Sequence, residues 1–497
     1  MTDLTLADVI EGLTGKRIEA PQAIKAVVID SRQAEPGSLF VALPGSQVDG
    51  HDFVAEAFQR GAIAALVHRP VEVCPPERTI QIDNPVDEQL TQVISDSQLP
   101  ICLHGADSLA GLQQLAAFWR QKFKPRVIGI TGSVGKSTTK ELIWNVLSTR
   151  YNTLKNEGNL NNEIGLPLTL LALNEAHEQV VLEMGMYDVG EIALLCRLAQ
   201  PQVGVVTNIG PTHLERLGTM ERIVQAKTEL VQALPAAAAT IDQGGVAVLN
   251  YDDPLVRPMA RQTRAQVMTY GLSPEADLWA SDVESAGLEG IRFVFHYQDE
   301  EIHARVPLLG RHSVHTALRA ALVGLIEGLA WEEIVTGLQT LPARTQLRLV
   351  AVPGPHGSTL LDDTYNASPV STIAALNLLD DLNVPRKIAV LGDMLELGSY
   401  EEEGHRKVGC RAAAVVDLLI VIGQRAKFVA EEARACGLPP TSILEMADNQ
   451  ATIAYLETVL GPDDVVLIKG SNAQKLDEIV STLALIGRTS TPERSRK

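Results

Sequence analysis

The chain has 497 residues, 45% of them hydrophobic, and a formal net charge of −19 at pH 7. This length suits about three domains with full cores, and the acidic balance argues against nucleic-acid binding through a basic surface. Five cysteines (Cys74, Cys102, Cys196, Cys410 and Cys436) show neither metal-site spacing nor a disulfide framework and read as buried thiols of a reducing compartment; no apolar run is long enough to span a membrane, and no basic-then-apolar leader opens the chain, so a cytoplasmic protein is expected.

In chain order, Val27 to Asp30 and Ser38 to Leu43 read as strands, Phe53 to Arg60 as a helix, and Ala62 to Val67 as a further strand. Ser31-Arg32 follows the first strand. Such a pair could hold a diphosphate, although its local chemistry is that of a surface turn. A helix from Leu109 to Phe123 stops at Lys124-Pro125, which places a domain boundary near residue 105.

The central stretch is Val127-Ile-Gly-Ile-Thr-Gly-Ser-Val-Gly-Lys-Ser-Thr-Thr-Lys140. A β-branched run turns through Gly132 and Gly135 into a helix that starts at Lys136, the layout of a phosphate cradle. Backbone N–H groups of Gly132, Ser133, Val134 and Gly135 and the helix N-terminus would face the anion. Lys136 would reach the β/γ-phosphates, and the Ser137 hydroxyl would sit on Mg²⁺, with Thr138 beside it. The spacing is shorter than G-x-x-x-x-G-K-[ST], because Ile130 stands where the first glycine would be.

Four asparagines then fall between positions 156 and 162, and their amide side chains could serve a ligand or brace a turn. Gln179 to Gly185 reads as a strand with Glu183 near its C-terminal end, where ligands bind in open parallel sheets and where an acid suits Mg²⁺. His213 follows the strand Val203 to Asn208. Lys227 lies in a helix from Thr219 to Leu234 and by composition is a solvated lysine. Strands at Val246 to Leu249 and Gln266 to Tyr270 precede a long Ala/Leu-rich helix capped by Gly310-Arg-His-Ser-Val-His315. Leu341-Pro-Ala-Arg344 reads as a junction. From about residue 359 the pattern is β-α-β-α, a small doubly wound sheet with strands at 359–363, 387–391, 418–422 and 465–468. Its strand ends carry Asp363-Thr-Tyr365-Asn366, Gly392-Asp393-Met-Leu-Glu396 and Lys469-Gly-Ser-Asn472, and a polar tail starts at Arg488.

These motifs together resemble the Mur ligases over essentially the full length. Asp30-Ser-Arg, Pro36-Gly-Ser-Leu-Phe-Val-Ala-Leu43 and Asp49-Gly-His-Asp-Phe53 are similar to the family's UDP-sugar-binding domain. The phosphate loop Thr131 to Thr138 fits both these ligases and folylpolyglutamate synthetases. Asn161 to Leu170, His213-Leu-Glu215 and Gly310-Arg-His-Ser-Val314 are more selective. Asp362-Asp-Thr-Tyr-Asn-Ala-Ser-Pro369 and Leu391-Gly-Asp-Met-Leu-Glu-Leu-Gly398 resemble the members that add D-alanyl-D-alanine. The chain departs from the family at Ser313, where asparagine is usual, and at Asn472, where arginine is frequent.

The resemblance implies an α/β protein of three domains. These are a small N-terminal α/β UDP-sugar-binding domain (1–105), a central ATPase-type parallel-sheet domain (106–343) and a C-terminal Rossmann-like domain (344–487), followed by the tail 488–497. It implies ATP-dependent amide formation between UDP-N-acetylmuramoyl-tripeptide and D-alanyl-D-alanine through an acyl phosphate, by a monomer. Ser31 and Arg32 would hold the UDP part, and Asn162 and Asp363 the ATP. Ser137 and Glu183 would hold one Mg²⁺, and His213 with a CO₂-derived carbamate on Lys227 a second. Arg344 would add a cation, with Tyr365 and Asn366 near the acceptor. Tripeptide-forming or folylpolyglutamate-forming relatives are the nearest alternatives, and a nucleotide-gated binding module is the alternative of a different class.

Overall fold

The structure, a computed structural model, describes residues 4–45, 48–83, 99–241, 243–341 and 349–490. Arg344 and the tail from 491 onward lie outside the described residues. The chain divides into two compact units. One comprises Met1–Gly129, Tyr151–Met186 and Gly190–Val203, and the other comprises Ile130–Arg150, Tyr187–Val189 and Gly204–Lys497.

The N-terminal part runs α1 (Leu6–Thr14), β1 (Ala26–Val28), β2 (Ser38–Val41), α2 (Val54–Gln59), β3 (Ala64–Val67), β4 (Thr79–Gln81), β5 (Ile101–His104) and α3 (Ser108–Gln121). Its five strands order β1-β2-β3-β5-β4, and every pairing is parallel. Val28, Phe40, Ala42, Val54, Ala57, Ala65 and Val67 form a core against the sheet. Parallel strands covered in this way read as continuous apolar runs, which is why β2 and β3 were legible.

Helix α1 starts at a capping box, in which Thr5 accepts from the Asp8 N–H and Asp8 accepts from the Thr5 N–H. Burial pushes the Asp8 carboxyl up, but hydrogen bonds from Lys122, Thr5 and Arg17 outweigh it and hold the group well below the usual carboxylate range. Lys122 Nζ lies 2.6 Å and Arg17 Nη1 2.8 Å from Asp8 Oδ1. A carboxyl depressed in the folded state contributes stability above the unfolded pKa of about 4 and loses it as pH falls further. Asp8→Asn is therefore expected to lower the thermal midpoint at pH 7 and to lower it much less at pH 2. An equal gap at both pH values would remove Asp8 from the acid limb.

The central elements are β6 (Arg126–Thr131), α4 (Lys136–Leu147), β7 (Thr153–Lys155), α5 (Gly165–Leu171), β8 (Gln179–Glu183), α6 (Glu191–Ala199), β9 (Val203–Val206), α7 (Leu214–Leu217), α8 (Met220–Ala233), β10 (Val246–Asn250) and β11 (Gln266–Gly271). Three strands not anticipated from the sequence follow: β12 (Leu278–Ser285), β13 (Ile291–Tyr297) and β14 (Glu300–Val306). Helices α9 (Val314–Ile326) and α10 (Trp331–Gln339) close this part. In the first unit β7 and β8 pair in parallel. In the second, the order β9-β10-β11-β12-β13-β14 changes from parallel to antiparallel at β12.

The last part runs β15 (Val350–Pro353), β16 (Thr359–Asp362), α11 (Pro369–Asp381), β17 (Arg386–Gly392), α12 (Glu401–Ala413), β18 (Leu418–Ile422), α13 (Lys427–Ala435), β19 (Ile443–Met446), α14 (Asn449–Val459), β20 (Asp464–Lys469) and α15 (Asp477–Ser490). The sheet order is β15-β16-β20-β17-β18-β19. Side chains alternate across it, as a period of two requires. Leu361, Ala389, Leu391, Leu419, Val421 and Leu467 join one core with α11, α12 and α13. Leu360, Ile388, Val390, Ile420, Val466 and Ile468 join another with α14 and α15. This is the doubly wound sheet expected. The edge strands β15 and β19 are additions, short and partly exposed. Helix α15 continues to Ser490, past the point at which the sequence begins the tail.

The cysteine reading is corrected. Cys74 pairs with Cys102 and Cys410 with Cys436, with Cα atoms 6.0 and 5.3 Å apart, and only Cys196 is a buried thiol. The partners are 28 and 26 residues apart in sequence, so local spacing carried no sign of either bridge. Among the described residues no helix is long and apolar enough to cross a membrane.

Candidate functional site

The phosphate loop is set by backbone constraint. Gly132 has φ +146°, and a side-chain carbon placed on it would lie 1.9 Å from Thr207 Oγ1. Gly135, with φ +82°, opens α4. The end of β9 grips the turn between them. Thr207 Oγ1 and Asn208 Nδ2 both donate to the Val134 carbonyl, at 2.8 and 2.9 Å, and Asn208 Oδ1 accepts from the Val134 N–H at 2.9 Å. Ser133 Oγ donates to the Gly210 carbonyl at 3.0 Å. A loop held at this many points keeps its N–H groups oriented before any anion arrives.

Two lysines meet at one carbonyl. Lys136 Nζ donates to Gly132 O at 2.8 Å, and Lys227 Nζ donates to the same atom at 3.0 Å. Lys227 is 2% exposed, against its reading as a solvated residue. Burial, and then the charge of Lys136, push its pKa well below the ordinary lysine value. The signal was in α8, where Ile223, Ala226, Leu230 and Val231 are buried and Lys227 falls on their stripe.

His213 takes the left-handed conformation, with φ +55°, immediately before α7. Its Nδ1 lies 2.5 Å from Glu396 Oε2, and its ring meets Tyr187 edge-on at 5.2 Å. The adjacent His213 ring holds the Glu396 carboxyl below its usual range, against an opposing effect of burial. The Glu215 N–H also donates to the Glu396 carbonyl. Glu396 lies in a motif noted from the sequence, but its pairing with His213 was not foreseen.

In the first unit Glu183 ends β8 and is 2% exposed. Its Oε1 accepts from Asn161 Nδ2 at 2.9 Å, while its Oε2 is buried with no hydrogen-bond partner among the described residues. An orphaned carboxylate oxygen fits a hard cation. Asn156 clamps the Glu183 backbone, accepting from its N–H at 2.9 Å and donating to its carbonyl at 3.0 Å. Asn162 Oδ1 accepts from the Gly165 N–H at 2.9 Å, so it braces the first turn of α5. Ser31 Oγ donates to Glu56 at 2.9 Å, and Arg32 forks onto Asp30 at 2.7 Å with its side chain exposed.

Asp363 is buried and holds Lys469 Nζ at 2.6 Å, and that lysine also donates to the Asn366 carbonyl. Tyr365 and Asn366 are exposed beside it. Ser313 Oγ is turned onto the Leu309 carbonyl at 2.7 Å, and Asn472 starts a short 3₁₀ turn. Among the described residues no three His, Cys, Asp or Glu side chains cluster as a metal site.

The chain matches "Mur ligase family, catalytic domain" over residues 23–98, "Mur ligase middle domain" over 130–324 and "Mur ligase, glutamate ligase domain" over 347–472. It is 35% identical over 480 residues to a UDP-N-acetylmuramoyl-tripeptide–D-alanyl-D-alanine ligase of Bacillus subtilis, covering 96% of this chain and 97% of that one. A solved structure of MurF from Acinetobacter baumannii superposes with a TM-score of 0.79 at 29% identity, covering 96% and 98% of the two chains. MurF ligase from Thermotoga maritima in complex with ADP gives 0.74 at 28% identity, covering 94% and 98%.

Proposed function

The chain belongs to the Mur ligase family, and on that premise we propose that it is an ATP-dependent ligase that joins D-alanyl-D-alanine to UDP-N-acetylmuramoyl-tripeptide. The observation that carries the reading is identity along nearly the whole chain to relatives of that name, together with a pinned phosphate loop that has two lysines at Gly132 O. The domain limits at residues 105, 343 and 487 and a cytoplasmic monomer belong to the same reading.

A carboxylate is a poor electrophile because its oxygen leaves poorly. The terminal carboxylate of the tripeptide takes the γ-phosphoryl group of ATP, which makes that oxygen part of a good leaving group. The amine of the dipeptide attacks the acyl carbonyl, and collapse of the tetrahedral intermediate releases phosphate and leaves the amide. The loop N–H groups, the start of α4 and Lys136 hold the polyphosphate and offset its charge. Ser137 and Glu183 would hold one Mg²⁺, and His213 with a Lys227 carbamate another; bound there, the ions neutralise phosphate charge. The depressed pKa of Lys227 supports the carbamate, since only the neutral amine adds to CO₂. Glu396 lies against Nδ1 of His213, which would leave Nε2 for a ligand role. Arg344 would add a cation. Asp363 would meet the nucleotide, Tyr365 and Asn366 the acceptor, and Ser31 and Arg32 the UDP part.

Phosphate release from ATP with UDP-N-acetylmuramoyl-tripeptide, with D-alanyl-D-alanine, D-alanine or diaminopimelate added in turn, tests this reading. Release is expected only with the dipeptide, with a product heavier by the dipeptide minus water. Release with a single amino acid would move the chain to a sister activity. No release with any acceptor would leave a nucleotide-binding protein.

A further inference from the structure

Helix α9 has the sequence Val-His-Thr-Ala-Leu-Arg-Ala-Ala-Leu-Val-Gly-Leu-Ile, and Arg319 is its only Lys, Arg, Asp or Glu. A lone arginine on an Ala/Leu-rich helix is expected to face solvent. Instead Arg319 is 3% exposed. No carboxylate pairs with it among the described residues, and its Nε is buried without a hydrogen-bond partner there. Its remaining contacts are neutral. Nη2 donates to Thr316 Oγ1 at 2.7 Å, Nη1 lies 3.4 Å from the Tyr270 hydroxyl, and the guanidinium carbon is 5.6 Å from the Tyr270 ring centre. An uncompensated buried charge is costly, and the usual remedy is an anion.

The place of this charge indicates which anion. A side-chain carbon on Gly135, the residue that opens α4, would lie 3.4 Å from Arg319 Nη2. The guanidinium therefore backs the glycine that precedes Lys136. It also reaches the other side of the loop through Tyr270. The hydroxyl of Tyr270 donates to the Thr207 carbonyl at 2.9 Å, and Thr207 in turn holds Val134. Tyr270 is fully buried and its pKa is pushed up to about 12 by that burial, so the phenol stays protonated and relays the contact.

We propose that Arg319 is a further positioning residue of the nucleotide site, a fixed buried cation behind Gly135 whose counter-charge is the polyphosphate of the bound nucleotide. The inference rests on the nucleotide-binding part of the function above. Thr316 and Tyr270 aim the guanidinium, and Gly135 lets it approach because no side chain intervenes.

Calorimetric titration of the full chain with ADP and with adenosine, together with thermal melts with and without ADP, tests this. Arg319→Met keeps the volume and removes the charge. It is expected to weaken ADP binding about 10- to 100-fold, the range for loss of a charged hydrogen-bonding partner, and to leave adenosine binding unchanged. Arg319→Lys is expected to recover most of the ADP affinity. Without ADP, Arg319→Met is expected to melt no lower than the wild type, because an apolar group replaces a buried unpaired charge. A merely structural arginine would give the opposite pattern, with a lower melt and unchanged ADP affinity, and that result overturns the proposal. Equal ADP affinity in wild type and Arg319→Met overturns the role of Arg319 alone. No ADP binding by the wild type overturns the nucleotide reading and this inference together.

Discussion

Lys227→Ala is expected to reduce dipeptide-dependent phosphate release by about 10²–10³-fold or more, the scale on which removal of one preorganised electrostatic group acts. The lysine is buried on the apolar stripe of α8 and ends on the Gly132 carbonyl, the atom that Lys136 also holds. As an ammonium it would repel a divalent cation, whereas as a carbamate it becomes an anionic oxygen donor suited to Mg²⁺. Its depressed pKa favours the neutral amine from which a carbamate forms. On the carbamate proposal the variant loses the oxygen donor and leaves a space in which a small acid can stand. Added formate or acetate is therefore expected to restore part of the activity, measured as phosphate release against acid concentration. Unchanged turnover in Lys227→Ala would end the carbamate idea. Loss without rescue, in a protein that still binds ADP, would limit Lys227 to supporting the loop.

Gly132→Ala is expected to abolish measurable ADP binding and to lower the thermal midpoint. The added carbon would stand 1.9 Å from Thr207 Oγ1 and 3.0 Å from Thr207 Cβ. Neither atom can withdraw without releasing the Val134 carbonyl that Thr207 holds. Overpacking of this kind costs about 1–3 kcal/mol or more, and the backbone at φ +146° adds strain for any L side chain. Gly190→Ala is the matched control, with φ +97° and nothing within 4 Å of the added carbon. It is expected to lower the midpoint slightly without changing ADP affinity. Combining Gly132→Ala with Thr207→Ala should recover part of the loss, since the 1.9 Å collision goes and the 3.0 Å one stays. Calorimetry and melts on the four proteins decide the matter. Wild-type ADP affinity in Gly132→Ala would show that the loop is not held in its present form.

The sequence by itself determined the features that local chemistry controls. The strand, glycine turn and helix around Thr131 to Thr138 fall within a few residues of where periodicity places them, because β-branched runs and positive-φ glycines act over short distances. The β-α-β-α pattern from about residue 359 likewise foretold the doubly wound sheet. Glu183 stands at its strand end as read. Only the tertiary structure decided what the polar side chains do. Lys227 contacts an atom 95 residues away. Thr207 and Asn208 hold a loop more than 70 residues before them. His213 meets Glu396, Arg319 lies behind Gly135, and four of the five cysteines pair across loops. A residue's chemistry is fixed by its type, but its burial and its partners are fixed by where distant segments cross. Periodicity within one element cannot specify that crossing.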